Sequence, residues 1–61
     1  MPDVADTRTT AAYIGVPEAT LRQWRYRGFG PDYVKVGQHV RYRRADLERW
    51  MDDRTVRPGG A

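Results

Sequence analysis

Sixty-one residues with eleven Lys or Arg, eight Asp or Glu, one His and no Cys carry a net charge of +3. That allows one domain at most, with a modest core, and the absence of cysteine excludes disulfide staples and thiolate metal sites. No apolar run approaches the roughly 18 residues of a membrane span, and MPDVADT lacks the basic and apolar regions of a secretory signal, so a soluble, cytoplasmic chain is expected.

Residues 1–6 read as a flexible arm, residues 7–53 as the folded domain, and the Pro-Gly-Gly-containing segment 54–61 as a disordered tail. Asp6 or Thr7 can cap a first helix through a side-chain oxygen. The run TRTTAAYIG then predicts a helix over 7–14 that buries Ala11, Ala12 and Ile14 and ends at Gly15. Pro17 opens a second helix, where its missing N–H costs nothing, and Glu18 suits the positive end of that helix. It runs to about Arg27 and stops at Gly28. Two short helices joined by a tight turn outline a helix-turn-helix.

After Gly30-Pro31 the period changes to two, which predicts strands. Val34, Val36, Val40 and Tyr42 are expected on one face, with Lys35, Arg41 and Arg43 on the other. A two-residue turn at Gly37-Gln38 would mix these faces. A three-residue turn, Gly37 to His39, pairs Val36 with Val40 and Val34 with Tyr42, and is therefore the expected register. It sets Lys35 opposite Arg41. A last amphipathic helix carries Leu47, Trp50 and Met51 at i, i+3, i+4. The expected core is Ile14, Val16, Leu21, Trp24, Val34, Val36, Leu47 and Trp50, with Tyr42 and Phe29 sealing its edge.

Charge is unevenly spread. Between Arg22 and Arg44 seven basic residues meet one acidic residue, Asp32; the rest of the chain has four basic and seven acidic residues. A basic middle implies an anionic partner. On the second helix, at roughly 100° per residue, Leu21 and Trp24 mark the buried arc, and Ala19, Arg22, Gln23 and Tyr26 lie opposite. Arg can bond guanine and Gln can bond adenine bidentately in the major groove. A small Ala19 permits close approach, and Tyr26 can meet a phosphate or a thymine methyl. The expected contact set on this helix is Ala19, Thr20, Arg22, Gln23 and Tyr26. Arg25 and Arg27 are placed on its flanks for phosphates.

Catalysis is not expected. The chain has no Ser or Cys nucleophile, its lone His39 has no sequence-close partner, and no phosphate-binding Gly loop or cofactor motif is present. A module binding acidic peptides is the competing reading, but basic residues divided between a helix and a hairpin suit a duplex better.

The segments AAYIGVPEATLRQW and RGFGPDYVKVGQHVRYRRADLERW carry five short motifs in order: A-A-x-I-G-V, T-L-x-x-W, G-x-G-P, V-G-x-x-V-R-Y and D-L-x-x-W. Over about Thr7 to Met51 the chain thereby resembles MerR-like winged-helix proteins of the excisionase and AlpA type. The resemblance implies an α+β winged helix-turn-helix, with the second helix in the major groove and the hairpin as a wing. Wing contacts are expected from Lys35, Gln38, His39, Arg41 and Arg43. Gln38 and His39 stand where excisionases often place a minor-groove arginine, so Arg41 is expected on phosphate. With about ten residues after Trp50, the dimerisation helix and sensor domain of larger MerR-type regulators are not expected. The resemblance therefore implies an excisionase, a recombination directionality factor of a phage or integrated element. Such a protein would bind and bend attachment-site repeats in the bacterial nucleoid, alongside an integrase and further copies of itself. A small AlpA-type transcriptional regulator is the alternative.

Overall fold

The start of each helix follows from local chemistry. Asp6 caps the first by accepting the Thr9 amide at 2.8 Å, and that backbone bond holds its carboxyl below the usual carboxylate range. The second begins at the extended Pro17 and places Glu18 in its first turn. A computed structural model describes residues 1–59 as β1 (Val4–Ala5), α1 (Thr7–Ile14), α2 (Glu18–Tyr26), β2 (Val34–Val36), β3 (His39–Arg43) and α3 (Arg44–Asp52). The strands form one antiparallel sheet in the order β1-β3-β2. Three helices with this sheet make the α+β winged helix-turn-helix.

The hairpin register differs from the sequence expectation. Val36 pairs with His39, Lys35 with Val40, and Val34 with Arg41. The turn has two residues, Gly37 and Gln38. Gly37 has φ +63°, whereas no non-glycine residue among the described residues has positive φ. A positive φ at the first turn position alone is the type II′ pattern, whose twist matches that of a hairpin. Turn chemistry outweighs the purity of the two faces because β2 is an edge strand with little to bury. Val34 is half-buried and Val36 is 58% exposed, so neither supplies the core as expected. Lys35 therefore does not oppose Arg41. It shares the side of Val40, which packs against the core.

Tyr42 takes the place expected of the valines. It is fully buried with Leu21 and Ala11, and Ile14, Val16, Trp24 and Val40 close around them. Ala12, expected inward, is exposed. A second layer stacks Trp24, Phe29 and Trp50, with ring centroids 5.3 to 6.2 Å apart. Such aromatic pairs contribute about 0.5–1.5 kcal/mol each beyond their buried area.

Residues of both segments expected outside the domain contact it. Within residues 1–6, Val4 pairs with Arg43 and Ala5 with Tyr42, and Ala5 is buried. This covers the edge of β3 that β2 leaves open, where unpaired amides would otherwise face solvent. Within residues 54–61, the Arg54 guanidinium lies 4.3 Å from the Trp50 ring centroid and 5.2 Å from that of Phe29. Gly60 and Ala61 lie outside the described residues.

Gly30 joins α2 to the hairpin at φ +98°, and a Cβ there would stand 3.1 Å from Trp24 Cε3. Backbone strain and crowding act together at this site. Gly30→Ala is expected to destabilise the domain by roughly 1–3 kcal/mol, read as a lower midpoint in thermal denaturation followed by circular dichroism. An unchanged midpoint would show that Trp24 yields freely.

Candidate nucleic-acid interface

The period of α2 separates its side chains as expected. Leu21 is fully buried and Trp24 half-buried, whereas Ala19, Arg22, Gln23 and Tyr26 are exposed. Tyr26 is 90% exposed, so nothing in the fold packs on it. Thr20 is half-buried at the edge of this face.

The hairpin stands beside that face. Arg22 and Tyr26 from α2 meet Lys35 and Gln38 from the hairpin around a cleft of about 400 Å³. An adjoining hollow brings Glu18 and Arg22 together with Gln38, His39 and Arg41. Through the shared Arg22 and Gln38, the two hollows place Lys35, Gln38, His39 and Arg41 on one surface with Arg22 and Tyr26 of α2. Arg8 of α1 joins the same hollow. Its place was not legible, because the packing of α1 against α2 and β3 brings residue 8 near residue 41.

Three arginines are engaged in ways the sequence did not show. Arg25 is half-buried, and its Nη1 donates to Thr7 Oγ1 at 3.1 Å and to Tyr42 Oη at 3.0 Å. Its guanidinium carbon also lies 5.8 Å from the Tyr33 ring centroid. Arg25 therefore ties α1, α2 and β3 together, and it also lines both hollows between α2 and the hairpin. Arg43 sits at the far end of β3, its Nε 3.0 Å from Asp46 Oδ2, and lines a separate hollow beside α3. Arg41 donates to its own neighbour's carbonyl, Val40 O, at 2.7 Å. Arg27 is exposed where α2 ends.

Arg22, the expected reader of bases, is not unpaired either. Its Nη2 bonds Glu18 Oε2 one turn back on α2. The i, i+4 spacing permits this pair, a signal available in the sequence but not used. The surface as a whole offers donors at several heights: guanidinium forks, an ammonium, an amide, an imidazole and a phenol. It can bond acceptor edges of bases at its centre and phosphate oxygens around them.

A model of the helix-turn-helix domain family matches residues 6–55, from the Asp6 cap to just beyond α3. A search of curated proteins found no match.

Arg25 and Arg22 are separable by experiment. Removing a charged donor from partly buried acceptors costs about 1–3 kcal/mol, so Arg25→Met is expected to lower the unfolding midpoint clearly. Arg22→Ala, at an exposed position, should leave the midpoint nearly unchanged. Equal stability of the two variants in a denaturant titration would deny Arg25 its tying role.

Proposed function

This chain belongs to the helix-turn-helix domain family and is a sequence-specific binder of double-stranded DNA; we propose that it acts as an excisionase, bending attachment-site DNA so that an integrase runs toward excision. The observation that carries this reading is the continuous surface made by the outward face of α2 and the turn of the hairpin. With α2 in the major groove, Arg22 bonds guanine and Gln23 bonds adenine, while Ala19 and Thr20 allow close approach. Tyr26 meets a thymine methyl or a phosphate. The hairpin then lies against the neighbouring backbone, with Lys35, Gln38, His39 and Arg41 toward phosphates and Arg27 at the end of the helix.

The nine residues of α2 span only about 14 Å. So short a reader discriminates few base pairs. Repeated sites, further copies side by side and DNA deformation supply the remaining selectivity. That requirement supports an architectural role among attachment-site repeats in the bacterial nucleoid, with an integrase as the protein partner and no cofactor. An AlpA-type transcriptional regulator would use the same surface, and the shape of the bound DNA separates the two.

On a site selected from a random duplex library, Arg22→Ala is expected to cost about 1–3 kcal/mol. Lys35→Ala should weaken all duplexes alike and lower the salt slope by about 1. Equal, weak binding of every duplex, unaltered by Arg22→Ala, would count against base reading. Circularly permuted fragments carrying the site should migrate differently in a gel. Straight DNA at full occupancy would mark a plain regulator.

A further inference from the structure

On the surface read above as the DNA face, one carboxylate is out of keeping with the rest. Glu18 is half-buried in the hollow that also holds Arg8, Arg41 and His39. Its Oε2 accepts from Nη2 of Arg22, whose side chain is 56% exposed. The other carboxylate of that hollow, Asp6, is occupied by the Thr9 amide. Glu18 is therefore the acidic group engaged with the central reader.

A wholly cationic face would bind any duplex, since each phosphate neutralised releases a counterion whatever the sequence. A carboxylate in that face opposes phosphate. It also holds the Arg22 guanidinium, so a duplex gains Arg22 only when its acceptors replace or share that bond. The guanine edge offers two acceptors to the guanidinium fork, whereas cytosine N4 offers a donor that a carboxylate accepts. We propose that Glu18 is a specificity-determining residue: by engaging Arg22 and repelling phosphate, it suppresses binding to duplexes whose base edges do not take up the pair.

This rests on the DNA-binding reading, and the test keeps the two apart. Wild type, Glu18→Gln, Arg22→Ala and the double variant are titrated by fluorescence anisotropy with a selected site and with a scrambled duplex, across a salt series. Melting curves confirm that each variant folds, and Glu18→Ala replaces Glu18→Gln should the latter not fold. Glu18→Gln is expected to tighten scrambled-duplex binding by about threefold to tenfold and steepen its salt slope by about 0.9. The selected site should gain less, so discrimination falls. In the Arg22→Ala background the loss of discrimination should largely vanish. Unchanged discrimination in Glu18→Gln, or the same loss with and without Arg22, would overturn the proposal while leaving DNA binding intact. A wild-type chain that binds neither duplex would overturn both.

Discussion

The orientation of α2 depends on a bond beneath it, from Arg25 to Tyr42. An isolated helix of this length is unstable in water, and α2 has a single fully buried residue, Leu21. With the half-buried Trp24, which packs against the core, Phe29 and Trp50, it holds one side of the helix and leaves the other side some freedom to roll. The Arg25 guanidinium removes that freedom, because one nitrogen reaches both the first residue of α1 and the phenol of β3. Rolling α2 would strip a partly buried charge of both acceptors, at a cost comparable to the hydrophobic anchoring itself. The directions of Arg22, Gln23 and Tyr26 are thus set by a side chain one to three positions away.

Tyr42 is central for the same reason. It is fully buried, yet its hydroxyl must be satisfied. Arg25 satisfies it from one side, while Ala5 pairs with it on the sheet. The middle strand of the wing is therefore joined to the recognition helix through a polar contact and to the N-terminal segment through β1.

What the sequence made legible follows from the range of each cause. Helix limits, the outward set on α2 and the order of elements depend on neighbours within one turn, and these were readable. The hairpin register was not, because the expectation treated both strands as owing residues to the core. In the fold only β3 does, through Val40 and Tyr42, and β2 hangs on it as an edge. Gly37 at the first turn position was the better guide, since turn geometry is local whereas core membership is not. Arg25 could not be read as a tie, nor residues 4–5 as a strand, because their partners lie at least 17 residues away or across the sheet.

Charge shows the same division between local and distant causes. Along the chain the basic middle and the acidic flanks look like separate blocks, but folding lays the flanks over part of the middle. Asp3 and Glu48 take Arg44, Asp46 takes Arg43, and Glu18 takes Arg22. The positive potential is thereby withdrawn from the β3–α3 junction. Among the described residues, Arg8, Arg25, Arg27, Lys35, Arg41, Arg54 and Arg57 have no ion-pair partner, and Arg8, Arg25, Lys35 and Arg41 border the α2–hairpin surface. Seven cations in a row would make an indiscriminate polyelectrolyte. Pairing some internally concentrates what remains on one side and gives that side a direction, which a net charge of +3 spread evenly would not have.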